Sequence, residues 1–364
     1  MNVAHLTSVH PRDDTRVFLK ECRSLAARGH NVTLVVADGL GDDTRDGVRI
    51  VDVGRVSGRV ARMRKTTRRV YEKAVELDCD LYHFHDPELL IAGLRLKLRG
   101  KKVIYDAHED LRKDILSKYY LPPSVRTPVA YLAQLIEFAV SKRLSGVIAA
   151  TPGIQNKFSQ SGARSVAVCN YPIVEELEPT PWAHKEQKVC YVGGLTSARG
   201  AIELVLALDS VKTDTQLLLA GSFSEPGLEQ KAQATPGWQR VVPLGFLNRS
   251  GVRDVMARSM AGLVTLLPAP NSIDSLPIKM FEYMSAGLPV IASDFPLWRE
   301  IVEESDCGVL VDPTNPGQVA VAIDGFVKNP NEAMRQGENG RSAVLEKYNW
   351  RMEEAKLLRF YVEC

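Results

Sequence analysis

The chain has 364 residues, 45% of them hydrophobic and 25% charged, with a formal net charge of +2. That leaves room for two domains with separate cores and excludes the composition of a disordered chain. No apolar run reaches the length of a membrane span, and residues 1–11 lack the basic and apolar regions of a signal peptide, so a cytoplasmic location is expected.

The charge is unevenly spread. Through residue 164 there are 28 Lys plus Arg against 19 Asp plus Glu, a net of +9; the remainder has 18 against 25, a net of −7. A basic part beside an acidic one suggests separate tasks, the basic one facing something anionic. Cys22, Cys79, Cys169, Cys190, Cys307 and Cys364 lie far apart with no C-x-x-C pair and read as reduced thiols.

Residues 3–9 form an apolar strand pattern, 15–28 a helical stripe ending at Gly29, and 31–37 a second strand. Strand, helix, strand in that order opens a doubly wound sheet, whose ligands lie beyond the carboxyl ends of the strands. The first such loop, 10–16, offers Arg12 and Arg16 as cations for an anionic ligand, with helix capping by Asp14 or Thr15 an equal alternative. Strand 48–53 precedes a segment, 55–73, in which eight basic residues interleave with Val56, Val60, Met63 and Val70 at helical spacing. Such a run is commonly a solvated face. Together with the five basic residues of 95–102 and Lys118-Tyr-Tyr-Leu-Pro-Pro, it also suits an anionic membrane surface. No nucleic-acid module or stacking pattern is present.

Strand 80–84 ends in His83-Phe-His85-Asp86-Pro87-Glu88, and strand 102–106 in Ala107-His108-Glu109-Asp110. Both endings fall on the edge where a site would form. Alternation puts His83 and His85 on one strand face, where a metal is conceivable, but no further ligand has diagnostic spacing and none is expected. Asp78-Cys79-Asp80 precedes its strand and reads as a turn.

A long helical pattern, 125–144, leads to strands at 146–150 and 166–168. Residues 171–186 are polar and proline-bearing and read as a linker between a first domain, 1–170, and a second, 187–348, with a last helix within 349–364. The second domain opens with strand 189–192 and the loop Gly193-Gly194-Leu-Thr-Ser-Ala-Arg199-Gly200. Further strands follow at 215–221, 241–245, 261–267, 290–292 and 308–311.

Between the strand at 261–267 and Pro289 lies Asn-Ser-Ile-Asp274-Ser275-Leu276-Pro277-Ile-Lys279-Met-Phe-Glu282. Ser275 is the expected N-cap, and Ile278, Phe281 and Met284 repeat at helical spacing until Gly287. A helix N-terminus beyond a strand end attracts anions, above all phosphate. Lys279 in the first turn opposes the helix dipole, a conflict that a bound diphosphate removes. Glu282 can accept both hydrogens of a ribose diol, and Asp274 can take sugar hydroxyls.

Asp274 with Glu282, S-L-P-x-K and E-Y-M-x-A-G-L-P resemble the nucleotide-sugar signature of retaining GT-B glycosyltransferases of family 4; Y-H-F-H-D-P-E-L-L and Y-D-A-H-E-D are similar to a bacterial polysaccharide and O-antigen branch. The resemblance implies two Rossmann-like domains facing a cleft, the acceptor on the first and the donor on the second. It implies that Gly193, Gly194, Arg199, Phe246, Asp274, Ser275, Leu276, Pro277, Lys279 and Glu282 hold the donor. It places His108 beside the donor sugar, so that His108, Asp274, Arg199 and Lys279 act in catalysis, with Arg12, Arg16, His85, Asp86 and Glu109 toward the acceptor. Asp274 stands where glutamate is usual, and Gly194 where arginine is usual. The implied reaction moves a hexose or N-acetylhexosamine from a nucleotide sugar, UDP-linked by expectation, to a lipid-linked glycan without a metal or other cofactor. A sugar-nucleotide epimerase and a non-catalytic nucleotide-sugar sensor are the alternatives.

Overall fold

The computed structural model describes residues 1–58, 61–118 and 121–364. Arg59 and Val60 of the basic segment, and Tyr119 and Tyr120, lie outside the described residues. The chain divides into two units, Met1–Asn170 with Arg351–Cys364, and Tyr171–Trp350.

The first unit is built on an eight-stranded sheet of order β3-β4-β2-β1-β5-β6-β7-β8. Its strands are β1 (Asn2–Leu6), β2 (Asn31–Val36), β3 (Asp43–Arg45), β4 (Val48–Asp52), β5 (Leu81–Phe84), β6 (Lys102–Ala107), β7 (Gly146–Ala149) and β8 (Ser165–Ala167). All pair in parallel except β3, which pairs antiparallel to β4 and whose short, polar sequence gives no strand signal. The other strands are Val- and Ile-rich runs, because helices cover both faces of such a sheet. Leu6, Val35, Phe84, Val103, Tyr105 and Val147 lie in its core.

β1 stops at Leu6 rather than residue 9. The Thr7 hydroxyl accepts hydrogen bonds from the backbone N–H groups of Val9 and His10 (3.2 and 2.8 Å) and turns the chain. The strand order reverses at β1, so the loops after β1 and β5 diverge and leave a crevice at their carboxyl ends. The basic segment is helical over Arg62–Thr66 and Thr67–Leu77, with Val70 and Ala74 buried. Arg62, Arg68 and Lys73 pair with Glu88, Glu72 and Glu76, whereas Arg64, Lys65 and Arg69 are exposed.

The second unit carries a six-stranded parallel sheet of order β11-β10-β9-β12-β13-β14. These strands are β9 (Lys188–Val192), β10 (Gln216–Ala220), β11 (Val241–Gly245), β12 (Ala261–Val264), β13 (Val290–Ser293) and β14 (Gly308–Val311). The order reverses between β9 and β12, which makes a second switch point. β12 ends three residues earlier than its apolar run: Leu267 N–H leaves the sheet to bond the carbonyl of Ala198 at 3.0 Å.

Residues 171–186 pack on the second unit instead of spanning free. The Tyr171 ring meets Phe281 and Tyr348 at 4.7 and 5.4 Å, and Lys185 donates to the Met256 carbonyl at 3.0 Å. The last helix, Trp350–Glu363, lies on the first unit: Glu353 accepts from Cys169 N–H at 2.7 Å, and the Tyr361 hydroxyl bonds His83 Nδ1 at 2.7 Å.

One core contact reaches the second switch point directly. A Cβ on Gly262 of β12 would lie 2.2 Å from the Tyr283 ring, and the Tyr283 hydroxyl accepts the Val192 N–H at 2.8 Å, fixing the end of β9. Gly262→Ala should therefore destabilise the protein by about 1–3 kcal/mol through overpacking. A lowered urea midpoint is the expected result; an unchanged midpoint would show that the ring moves aside freely.

Candidate functional site

At the β9/β12 switch point three backbone features converge. β9 ends in Gly193 and Gly194, and Gly193 has φ +129°, a conformation that L side chains rarely adopt. A Cβ there would sit 3.2 Å from Lys279 Nζ, and one on Gly194 would sit 3.0 Å from the Arg199 guanidinium, which donates to the Gly194 carbonyl at 3.1 Å. The glycine pair thus lets two cations close over the main chain. The helix Ile278–Ser285 starts at Pro277, which supplies no side-chain cap. Ser275, the expected cap, instead donates its hydroxyl to the Ser272 carbonyl at 2.8 Å, at the end of an unanticipated short helix, Pro270–Ile273. The N-terminus is therefore left with its dipole uncompensated by any cap.

Lys279 is the unusual group. Its stem is half-buried but its ammonium nitrogen is enclosed, 3.5 Å from the Tyr191 ring centroid, and no hydrogen-bond acceptor reaches it among the described residues. Burial, and then the like charge of Arg199, push its pKa well below the usual lysine value. A desolvated cation beside another cation and a helix N-terminus is a site that an anion relieves.

Glu282, 7% exposed, receives Arg249 on Oε1 at 2.6 Å, and Arg249 reaches on to Glu176 at 2.6 Å. Neither partner carries a motif that sequence reasoning could have used. No described residue bonds Oε2 of Glu282, which leaves that oxygen for a ligand. Asp274 is exposed at the end of the short helix, Leu276 and Pro277 are half-buried beside it, and Phe246 is 86% exposed just after β11.

The β1/β5 crevice collects a second group. Asp86 accepts from the Ser8 N–H (2.6 Å) and the Thr7 hydroxyl (2.9 Å). Asp106, fully buried on β6, receives Arg16 bidentately (2.8 and 2.7 Å) and lies 3.1 Å from His85 Nδ1 and 2.8 Å from His108 Nε2. Burial alone would raise the Asp106 carboxyl; Arg16, His108 and His85 outweigh it and hold the group well below the usual range. Burial likewise pushes His85 down to about 4, despite Asp106.

The structure thus brings His85, Asp86 and His108 together, with Glu109 exposed beside them. It gives Arg12 and Arg16 another role. Arg12 is buried and spans Asp38 with two 2.7 Å bonds and the Gly41 carbonyl with a third, and Arg16 is buried against Asp106 and the Val168 carbonyl. Both guanidiniums are engaged by internal partners, Arg12 by Asp38 just beyond β2 and Arg16 by Asp106 on β6.

Sequence reasoning passed over Asp106 and His10. His10 is half-buried, 3.2 Å from Asp14 and 3.5 Å from Asp86, with its ring 4.8 Å from that of His108.

The two parts of the chain match two family models: "Glycosyltransferase Family 4" over residues 15–170 and "Glycosyl transferases group 1" over residues 174–343. The chain is a glycosyltransferase of this group 1 and family 4 type, using a nucleotide sugar, and its two parallel α/β units are the GT-B fold. Among curated relatives, a phosphatidyl-myo-inositol mannosyltransferase from Mycolicibacterium smegmatis is 23% identical over 84% of this chain and 77% of its own length. An alpha-maltose-1-phosphate synthase from the same organism is 27% identical, the match spanning 48% of this chain and about half (47%) of that relative. Among solved structures, sucrose-phosphate synthase from Thermosynechococcus elongatus superposes with TM-score 0.82 at 17% identity, covering 100% of this chain and 98% of that one. Anabaena HepE in complex with UDP-glucose superposes with TM-score 0.76 at 16% identity over all of both chains. WaaG, a glycosyltransferase involved in lipopolysaccharide biosynthesis, gives 0.73 at 17% identity over 99% of each.

Two results should follow. Lys279→Met removes the enclosed charge while keeping the stem, so the ligand-free protein should melt no lower than wild type while nucleotide affinity falls, on the order of 10-fold or more. Calorimetric melting and nucleotide titration measure both; a lower melting temperature with unchanged affinity would remove Lys279 from the site. For His10, burial lowers the pKa, but the Asp14 hydrogen bond and the Asp86 and Asp106 charges outweigh it and leave it raised. A raised folded-state value means that the contribution is present below about pH 6.5 and lost as pH rises through the folded value. His10→Gln should therefore cost more stability at pH 6 than at pH 9, as urea unfolding at the two pH values will show; equal losses would contradict the assignment.

Proposed function

We propose that the protein transfers a hexose or N-acetylhexosamine from a UDP-sugar to a lipid-linked glycan, with retention at the anomeric carbon, in the synthesis of a cell-surface polysaccharide. The observation that carries this reading is the enclosed Lys279 ammonium between Gly193, Arg199 and the uncapped helix N-terminus, a set of groups that favours a bound anion. Glu282 Oε2 takes the ribose diol, with Arg249 keeping the carboxylate ionised and in place. Gly193 and Gly194 give the diphosphate backbone access, Ser275, Leu276 and Pro277 lead main chain toward it, and Phe246 flanks the base. Asp274 contacts the sugar. The complex of HepE with UDP-glucose supports a UDP-linked donor.

In the transfer step the negative charge grows on the leaving diphosphate. Arg199, Lys279 and the helix dipole stabilise it, which is the role that a divalent metal plays where one is used, so none is needed here. Glu282 is assigned to the ribose and Asp274 to sugar hydroxyls, neither as a nucleophile, and the reading is a same-face displacement in which the departing phosphate accepts the acceptor's proton. His108, with His85, Asp86 and Glu109, serves the sugar and acceptor from the first unit. A lipid-linked acceptor is supported by the likeness to a phosphatidyl-myo-inositol mannosyltransferase and to WaaG, which is involved in lipopolysaccharide biosynthesis. The helix Pro123–Ser141 adds a physical reason: Val129, Leu132, Leu135 and Ile136 are exposed on it, in the unit that carries the basic surface. Such a surface suits peripheral binding to an anionic membrane at the cytoplasmic face, and no described helix is long and apolar enough to cross one.

A thermal-shift panel of UDP, GDP, ADP and their sugar conjugates tests the donor site. At 100 times its dissociation constant a ligand stabilises the native state by about 2.7 kcal/mol. A UDP-selective shift, lost in Glu282→Ala and weakened in Arg199→Ala, is the expected outcome. A shift selective for GDP or ADP would keep the site and change the nucleotide; no shift with any of them would overturn the reading.

A further inference from the structure

Behind the β1/β5 crevice, in the layer between the first sheet and the helices that cover it, lie four ionisable side chains, of which only His85 is given a part in the transfer reaction. His5 projects from β1, His83 and His85 from β5, and Glu21 from the helical turn Val17–Cys22; all four are buried, at most 2% exposed. His5 and His83 are paired across the parallel ladder, so their side chains share a face, and the two-residue alternation adds His85. The three imidazoles converge on one oxygen. Glu21 Oε2 lies 3.8 Å from His5 Nδ1, 3.6 Å from His83 Nδ1 and 4.0 Å from His85 Nε2; an ion there would replace the 2.9 Å hydrogen bond between His5 Nδ1 and His85 Nε2 and the 2.7 Å bond of His83 Nδ1 to the Tyr361 hydroxyl. One candidate donor atom from each residue lies within 4.8 Å of every other. Nitrogen ligands of a tetrahedral zinc ion, at about 2.0–2.1 Å from the metal, are about 3.3 Å apart, so small rotations bring this set to that geometry.

Two independent observations point to a missing cation. Both oxygens of Glu21, and Nε2 of His83, are buried with no hydrogen-bond partner among the described residues. And one guanidinium, Arg16, faces two buried carboxylates: it binds Asp106 bidentately and stands 3.2 Å from Glu21, and without a further cation, burial and the Asp106 charge push the Glu21 carboxyl well above its usual range. The surroundings also resemble those of a ligating histidine, whose second ring nitrogen is held by a carboxylate or another polar partner. His85 presents Nδ1 to Asp106 at 3.1 Å, and His5 presents Nε2 to the Tyr361 hydroxyl at 3.2 Å.

We infer that His5, Glu21, His83 and His85 bind one divalent transition-metal ion, zinc being the first candidate, at a structural site separate from the diphosphate site. Three imidazoles and a carboxylate suit such an ion, and four protein ligands without an open position make it a clamp between β1, β5 and the helix after the first loop, not a catalyst. The sequence gives no such spacing because the ligands are spread over 80 residues and meet only across the ladder.

The test is metal content. The full chain is produced in medium supplemented with zinc, iron and manganese, purified without a metal-affinity step, passed through excess EDTA and gel filtration, and analysed by inductively coupled plasma mass spectrometry. About one ion per chain is expected, retained in His108→Gln and lost in His83→Gln and Glu21→Gln. X-ray absorption at the edge of the bound metal should show imidazole ligation in the wild-type protein, which decides the matter if the variants fail to fold. Sub-stoichiometric metal in wild type, with none taken up on refolding in zinc, would overturn the inference and leave Glu21 as a buried protonated acid. Metal retained in His83→Gln but lost in His108→Gln would also overturn it, placing the ion at His85, Asp106 and His108. None of these readouts depends on the nucleotide site.

Discussion

In a parallel sheet each strand passes its chain to a covering helix at the carboxyl edge, and where the winding direction reverses the two departing loops go to opposite faces and uncover that edge. This protein has one such reversal in each unit, between β1 and β5 and between β9 and β12. Most of the residues proposed for binding and transfer gather there. The glycines, Arg199 and Lys279 stand at one reversal; His10, Asp86, Asp106 and His108 stand at the other. The rest of the chain, however well packed, chiefly holds these two edges in shape.

The two edges solve the problem of buried charge in different ways. In the first unit, burial of Asp106 is offset by Arg16 and two histidines, and Arg12 is matched to Asp38 in the same manner. Both guanidiniums are taken up by carboxylates of their own unit, so they organise loops and not what arrives from solvent. In the second unit the Lys279 ammonium is enclosed over the Tyr191 ring with no hydrogen-bond acceptor among the described residues, and near it stand another cation, a helix N-terminus and the Glu282 carboxylate. An unmatched charge lowers stability, and such groups persist where a ligand completes them. That contrast separates scaffold cations from ligand cations, and residue type alone does not.

The Glu282 carboxylate shows how the second unit prepares its site. Arg249 and Glu176 continue from it in a chain of ion pairs, and Glu176 belongs to the stretch that joins the two units in sequence. The residues following Asn170 therefore belong energetically to the unit that carries Glu282. Tyr283, one residue after Glu282, braces the end of β9 from the same helix. A single short helix thus carries the cation, the carboxylate and the brace on its successive faces.

Thirteen of the fourteen strands, the doubly wound class, the glycine loop and the helix bearing Lys279 and Glu282 are legible in the sequence. Parallel strands buried on both faces must be apolar runs, and a phosphate-binding turn needs glycine beside a helix start, so local composition carries these features. β3 was not legible, since a short polar edge strand has no periodic signature. Nor was the true start of the central helix, where Ser275 carries a capping residue type but spends its hydroxyl on a preceding turn. Asp106 had a signal, a carboxylate inside an apolar strand, whose meaning rests on Arg16 some 90 residues away. The sequence by itself determined which elements form and which residue types reach the strand ends. Only the tertiary structure decided which charges are neutralised internally and which are left for a ligand, because that depends on partners brought together across the ladders, at distances in sequence over which no local pattern extends.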